Sequence, residues 1–294
     1  ETIQFAEKAL SLIPKEYHRF RSDLETWLML ALHLTGKGDL AFQKIDKAIR
    51  LMEPAGEPIQ LSRYIAQKAF LNLMNVDFEN LIINVNDFSK IRNLNPYTQT
   101  FLDYLKASIQ WWSNNPEEVI NEFDPVIENQ YHVEAQLGTD AYIAKALALQ
   151  QLNRTVEANQ LMDQALMQAE ESGIEENMAV IKSGFARLAL LQGDIASAEN
   201  WISAVKNPGI NPFILFWIEI PAITICRVLV AKGSSTDLNK ARELLTDYRT
   251  TVESWNNKLR AVEIASLQAV CSLKLGAKEE ALDDLKYAIE IAAH

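Results

Sequence analysis

The sequence has few of the residues that build a disulfide scaffold or a metal centre. It contains two cysteines, Cys226 and Cys271, and four histidines in 294 residues. Both cysteines lie inside apolar runs without metal-ligand spacing, so we interpret them as small core residues of a protein in a reducing cytoplasm. The histidines show neither an HExxH motif nor paired ligand spacing. The sequence therefore predicts no metal site and no cofactor in this segment.

Basic residues and long apolar runs are also scarce. The 28 Lys and Arg residues face 39 Asp and Glu residues, and the resulting net charge of −11 repels nucleic acid phosphates. No stretch approaches the roughly 18 consecutive apolar residues of a membrane span. There is no GxxxxGK[ST] phosphate loop and no catalytic constellation. We expect a soluble cytoplasmic segment that is not an enzyme and has no direct contact with nucleic acid or a membrane.

What the sequence does contain is a pattern that returns about every 40 residues. Each unit has one small or apolar anchor residue, and successive anchors are 40, 38, 39, 40, 43 and 40 residues apart. Another apolar or small residue follows each anchor after four and after seven positions, which is the one-sided stripe of an amphipathic helix. The anchors are Ala41, Leu81, Val119, Ala158, Ala198, Ala241 and Ala281.

Two positions before the anchor recur as well. Five residues before it stands a residue that tolerates the left-handed conformation at the end of a helix, and twelve residues before it stands a small residue that lets two helices approach closely. The turn residues are Gly36, Asn114, Asn153, Gly193, Gly276 and, in the unit that is three residues longer, Gly233. The twelfth position holds Ala69, Ala107, Ala146, Ala186, Ala269, the shifted Cys226 and, as the one large exception, Met29.

This order of features is that of a tetratricopeptide hairpin stretched from about 34 to about 40 residues. Stacked hairpins form an α-solenoid with an extended concave surface. The sequence therefore predicts an all-α right-handed superhelix of about seven helix pairs after one leading helix. Aligning Ala9 with Ala48 places a missing anchor at Thr2, so the repeat starts in mid-unit. We expect residues 1–294 to be a single superhelical domain within a larger multidomain chain.

The last third of the chain resembles a known family. The resemblance rests on five segments and one further acid, and it is good over about residues 183–294, whereas earlier units match only as repeats. The segments are GDIASAENW from Gly193, CRVLVAKG from Cys226 with Glu219 eight residues before its Arg227, ARELL from Ala241, EIASLQA from Glu263 and LGAKEEALDDLKYAIEIA from Leu275. Together they resemble the MalT-like tetratricopeptide region of large ATP-dependent bacterial transcriptional activators of the LuxR type.

In that family the region follows a nucleotide-binding module, precedes a C-terminal helix-turn-helix, binds the inducer and takes part in self-association. The resemblance thus implies a ligand-sensing or oligomerisation domain of a signal-responsive regulator. Its implied partners are a small-molecule effector or peptide, the other domains of the same regulator and a second copy of the chain.

The first helices of the pairs would line the concave side of such a solenoid. Positions −18, −15, −11 and −8 relative to the anchor share one face of these helices. Aromatic residues in the middle units beside charged residues toward the end suit a sugar-like, aromatic or peptide ligand. The candidate ligand-binding residues are Arg63, Phe101, Tyr104, Trp111, Asp140, Arg187, Arg227 and Glu263.

Several alternatives remain open at this stage. Arg187 and Arg227, at the same position of consecutive units, either clamp an anionic ligand or pair internally with acids such as Glu219 and Glu263. Trp111 either packs on the next unit or stacks on a ligand.

Two other functions compete with effector sensing. A scaffold would bind an extended peptide or a partner helix, although the stripe lacks the repeated Asn and Lys expected for peptide capture. An enzyme using Asp140 with Glu263 is disfavoured because these residues lie three repeats apart. The aromatic segment around Phe213, Phe216 and Trp217 is interpreted as core.

Overall fold

The computed structural model describes residues 2–14, 16–53, 58–133, 135–203, 209–210 and 217–293. These residues form α-helices and one 3₁₀ turn without strands, so the predicted all-α class is confirmed. Phe213, Phe216 and the small residue expected at Val205 lie outside the described residues. The helices are α1 Thr2–Leu12, α2 His18–Leu34, α3 Gly38–Met52, α4 Pro58–Met74, α5 Phe78–Ser89, α6 Pro96–Trp112, α7 Pro116–Glu122, α8 Asp124–Glu128, α9 Ala135–Gln151, α10 Thr155–Ser172, α11 Glu175–Leu191, α12 Ile195–Ser203, α13 Pro221–Lys232, α14 Ser235–Ser254, α15 Lys258–Lys274 and α16 Lys278–Ala292.

The helices stack as pairs in the predicted register. The first helices of the pairs are α2, α4, α6, α9, α11, α13 and α15, and each packs against the helix that follows it. All seven anchors are buried, and so are the residues twelve positions before them, including Met29. Cys226 and Cys271 are buried free thiols, as the core interpretation predicted.

The turn between the helices of each pair has a left-handed residue. Gly36 has φ 78° and Asn153 has φ 59°, and the other four predicted turn residues also have positive φ. The second unit has Val76 at this position, with φ 63°. A β-branched residue is strained in this region, and the sequence pattern did not mark the position. The turn geometry is therefore kept even where its preferred residue is absent.

One first helix is shorter than the rest. The other six have 17 residues each, and all six begin at position −23 relative to their anchor. In contrast, α13 has 12 residues and begins at Pro221. With the three-residue insertion taken into account, the common register would start α13 at position 215.

Pro221 explains where this helix begins. Proline favours the first position of a helix and pushes the residue before it into extended conformation. Ile220 accordingly has φ −125° and ψ 111°, and residues 217–220 are not helical. Residues 217–220 are therefore non-helical, with a bend at Ile218 and extended backbone at Ile220, where the other units have the start of a helix.

The array curves until its first units contact its last. Asn256, in the turn between α14 and α15, donates from Nδ2 to the carbonyl oxygen of His33 at 3.1 Å, and its own carbonyl lies 3.2 Å from His33 Nε2. Trp255 packs against the apolar cluster of α1 to α4, and Leu259 belongs to the cluster of α4 to α6. We call His33, Trp255, Asn256 and Leu259 the clasp. Because of it, the concave side is enclosed rather than an open groove.

Within the described ranges, no helix has the length and apolar character that a bilayer span requires.

Candidate binding site on the inner face

Charged side chains from the last four units meet on the inner face. Three carboxylates, three guanidiniums and one tyrosine are joined by ion pairs and by hydrogen bonds through Thr224 and the backbone of Ile218 and Glu219. We call this group the inner network. Its acids and bases are equal in number, so its formal charges cancel at neutral pH. The members are Tyr104 of α6, Asp140 of α9, Arg187 of α11, Glu219, Arg227 of α13, and Arg260 and Glu263 of α15.

Asp140 is fully buried at the centre of this network. Its carboxylate accepts hydrogen bonds from the Tyr104 hydroxyl at 2.6 Å and from the backbone N–H groups of Ile218 and Glu219 at 2.8 and 2.9 Å. Burial raises the pKa of Asp140 to about 6, although these hydrogen bonds and the charge of Arg260 act to lower it. The carboxylate therefore binds two backbone N–H groups that no helix satisfies.

Glu219 is also fully buried, and only donors surround its carboxylate. The hydroxyls of Ser183 and Thr224 donate to Oε1, and Arg187 Nη1 donates to Oε2 at 3.1 Å. The same Arg187 nitrogen donates to the carbonyl oxygen of Ile218 at 3.1 Å. Arg187 thus binds both the backbone of Ile218 and the side chain of Glu219.

Glu263 completes the other side of the network. Its carboxylate accepts from Arg227 and Arg260, and Arg260 also donates to the carbonyl oxygen of Trp217. Burial acts to raise the pKa of Glu263, but the guanidiniums of Arg260, Arg227 and Arg187 outweigh it and lower the pKa to about 2. Glu263 is therefore ionised at any physiological pH.

Two adjacent tryptophans on α6 support two of the guanidiniums. The guanidinium carbon of Arg187 lies 5.2 Å from the centre of the Trp111 ring, and that of Arg260 lies 5.1 Å from the centre of Trp112. Both distances are within the range of cation–π attraction. Trp111 and Trp112 point about 100° apart on the helix, and they pack against different apolar clusters.

The structure brings together six of the eight predicted ligand-binding residues. Tyr104, Asp140, Arg187, Arg227 and Glu263 are in the inner network, and Trp111 lies beside it. The remaining two lie elsewhere. Arg63 pairs with Asp23 of α2, and Phe101 is partly buried between two apolar clusters. Of the two alternatives for Arg187 and Arg227, the structure contains internal pairing, with Glu219 and Glu263.

Sequence reasoning missed Arg260 and the role of the segment before Pro221. Arg260 occupies position −21 relative to Ala281, one helical turn beyond the positions that were considered. Pro221 is the sequence feature that could have predicted the shortened helix α13. Trp217 is half-buried and packs against the cluster that contains Tyr104, as the core interpretation expected.

Separation along the sequence does not keep Asp140 and Glu263 electrostatically apart. They lie three repeats apart, yet the charge of Arg260 acts to lower the pKa of both. Arg260 donates to Glu263, and its charge also acts on Asp140.

Other parts of the described chain offer less chemistry. No group of three or more His, Cys, Asp or Glu side chains in the described ranges is arranged to hold a metal ion. A cleft of about 510 Å³ lies among α3, α4 and α5, and one of about 330 Å³ lies among α12, α13 and α14. Neither cleft includes a member of the inner network.

Comparison with known proteins adds little to this geometry. No protein-family model matches the chain, and no curated protein matches it. Among solved structures, the chain is similar to the apo form of the quorum sensor NprR from B. thuringiensis, with 13% sequence identity and a TM-score of 0.45 over 92% of this chain and 76% of that chain. At this identity and TM-score, the likeness says nothing about what the chain binds.

Proposed function

We propose that this chain is a non-enzymatic recognition domain whose inner face binds an extended polypeptide. The observation that carries the proposal is the way residues 217–220 are held. Asp140 accepts from two consecutive backbone N–H groups, and Arg187 and Arg260 donate to two consecutive carbonyl oxygens. Helical repeat arrays that bind extended peptides need side chains of this kind, because the peptide has no secondary structure to satisfy its own backbone.

The inner network also favours peptides that carry a particular side chain. Contacts to the backbone supply affinity for any extended segment, whereas the all-donor environment around Glu219 favours an acidic side chain. Glu219 and Glu263 are paired with guanidiniums, and Asp140 accepts hydrogen bonds from Tyr104 and two backbone N–H groups. None of the three carboxylates is therefore an unpartnered general base. A binding function accounts for this arrangement better than catalysis does.

The regulatory setting of this domain is part of the proposal. Glu219 and four other network residues, Arg187, Arg227, Arg260 and Glu263, lie within residues 183–294, the part that resembles MalT-like activators. We therefore assign the chain to the sensor position of a bacterial, cytoplasmic, signal-responsive transcriptional regulator. Ligand binding would shift the population between a closed and an open form of the array and so change contacts with other domains or a second copy.

A peptide-library titration tests this proposal. Residues 1–294 are titrated with eight-residue peptides that alternate acidic and apolar residues, and binding is followed by calorimetry. We expect a subset to bind with micromolar Kd, and Arg187→Ala to weaken that binding about 10- to 100-fold because a charge-assisted hydrogen bond is lost.

Arg63→Ala is the matched control, since Arg63 is ion-paired on another unit and should leave Kd unchanged. Equal binding by the Arg187→Ala variant would place recognition elsewhere. Binding of small metabolites without any peptide would replace the peptide ligand with an effector of the originally expected kind.

A further inference from the structure

The residues before Pro221 lie where the first turns of a helix are found in the other six units. We call residues 217–220 the inner segment. Ile218, Glu219 and Ile220 are each at most 2% exposed, so the segment is enclosed by the solenoid. A helix through this stretch would use the amide groups of Ile218 and Glu219 internally and would leave Asp140 without its two backbone donors. The carbonyl group of Trp217 would still lack a helical donor, because Pro221 has no N–H.

The residues around the inner segment contact it as they would contact a bound peptide. They come from α9, α11 and α15, three helices outside the unit that contains the segment. Two apolar side chains, Ile218 and Ile220, flank the acidic Glu219, and all three are buried. The segment therefore presents to its surroundings what a short peptide without secondary structure would present: backbone, one acidic side chain and two apolar ones.

We propose that the inner segment is an internal ligand that occupies the recognition site until a peptide of another molecule displaces it. The proposal rests on the proposed function and specifies its ligand class: an extended peptide in which an aromatic and an apolar residue precede Glu, followed by an apolar residue and proline. This is the pattern of Trp217 to Pro221.

The groups around Glu219 explain why the peptide needs an acidic residue at this position. Ser183, Thr224 and Arg187 all supply donors to its carboxylate. A glutamine at this position would turn its own NH₂ donors toward at least one of those groups and lose an acceptor. A peptide with Gln in place of Glu is therefore the closest non-ligand.

Tethering explains why the site is filled in the free chain. A segment joined to its site by the chain acts at an effective concentration on the order of millimolar. A peptide from another molecule must overcome this competition. Its binding should therefore tighten when the inner segment itself is altered while the residues that bind the segment, such as Arg187, are kept. Glu219→Gln weakens the segment while keeping its size and its backbone.

The experiment uses a fluorescein-labelled peptide with the sequence FWIEIPA, which is that of residues 216–222. Anisotropy titrations compare the wild-type chain with the Glu219→Gln variant. We expect the variant to bind the peptide at least about tenfold more tightly than wild type does, and to bind the matched FWIQIPA peptide at least about tenfold more weakly than FWIEIPA. Equal affinity of a folded variant for the two peptides would overturn the proposal.

A second measurement covers the case in which Glu219→Gln fails to fold. Hydrogen exchange of the amides of Ile218 and Glu219 is followed in the wild-type chain with and without saturating FWIEIPA. Displacement predicts at least about tenfold faster exchange at both amides, because they lose Asp140 as their acceptor. Unchanged exchange at saturation overturns the internal ligand. A library peptide that binds without exposing these amides would leave the proposed function standing and refute only this inference.

Discussion

The inner network and the clasp both join units that are distant in sequence, but they do so by different means. In the network, every charged side chain has a partner of opposite charge or a set of hydrogen-bond donors. The clasp has two hydrogen bonds between His33 and Asn256, together with the apolar packing of Trp255 and Leu259. The buried Nδ1 atom of His33 has no hydrogen-bond partner among the described residues.

This difference determines how each contact responds to a mutation or to a change of pH. Removing one member of the network leaves a buried charge behind, which is strongly unfavourable. In the clasp, burial disfavours the charged imidazolium of His33. Because a carbonyl oxygen only accepts, His33 Nε2 must carry the proton in its contact with Asn256. Burial lowers the pKa of His33, and the nearby charge of Lys258 lowers it further, although the hydrogen bond to Asn256 opposes both. The network therefore defines one geometry, whereas the clasp can open.

The largest expected effect is that of Arg260→Ala. Arg260 is 1% exposed and contacts Glu263, the Trp217 carbonyl and the Trp112 ring. Its removal should lower the free energy of unfolding by ~3–5 kcal/mol, as the loss of one partner of a buried ion pair does. Urea denaturation followed by circular dichroism measures this change.

Arg63→Ala is the control, because the partly exposed pair of Arg63 with Asp23 should contribute less than ~1 kcal/mol. Similar losses in the two variants would mean that the network is no more important than a surface ion pair.

The next effect is the pH dependence that Asp140 confers. Its pKa rises from 3.8 to about 6 on folding, so the folded chain holds the proton more tightly than the unfolded chain does. Its contribution is fully present below pH 4 and is lost as pH rises through 6, by ~2–3 kcal/mol in total. Urea titrations at pH 4.5 and 7.5 should show this dependence in wild type.

The side chain of the Asp140→Asn variant cannot titrate, so the variant should lack the pH-dependent contribution of Asp140 to the free energy of unfolding. Glu263 acts in the opposite direction, since its stabilisation is present above pH 4.5 and disappears as pH falls toward 2. An Asp140→Asn variant with the same pH dependence as wild type would contradict the assignment.

The smallest effect concerns the clasp. Asn256 has φ 52°, so Asn256→Gly keeps the left-handed turn while deleting the side-chain bond to His33, at an expected loss of about 1 kcal/mol. Hydrogen exchange of residues 28–38 should become faster, with exchange at Ile218 unchanged.

Acid should open the clasp in the same way. Because the pKa of His33 is lowered on folding, its stabilisation is present above pH 6.5 and is lost as pH falls below that value. Exchange at residues 28–38 that stays constant between pH 7.5 and 5.5, after correction for intrinsic rates, would show that the clasp does not respond to His33.

The fold could be predicted from the sequence because its determinants are local. An anchor such as Ala158, a turn residue such as Asn153 and a small residue such as Ala146 lie within one unit. The same pattern is repeated from unit to unit. Val76 shows the limit of the pattern, since its turn forms without the residue type that marks it elsewhere.

The candidate site was predictable only in part. The face of the helices that carries Asp140 and Arg187 follows from helical periodicity. The partners that meet across that face depend on the curvature of the array, which accumulates from small rotations between units and leaves no signature at any single residue. The contact between His33 and Asn256 is invisible in the sequence for the same reason, and the unwound inner segment was marked only by Pro221.

The clasp also changes how the array should unfold. In an open solenoid each unit contacts only its neighbours, so the two ends can fray independently and folding can spread from any point. Here a contact spans 223 residues of sequence, and it forms only when the intervening units are already ordered. Closing so long a loop carries an entropy cost that grows slowly with length and is met late in folding. The ends should therefore melt together, and a stack of nearly independent repeats should behave as one cooperative unit.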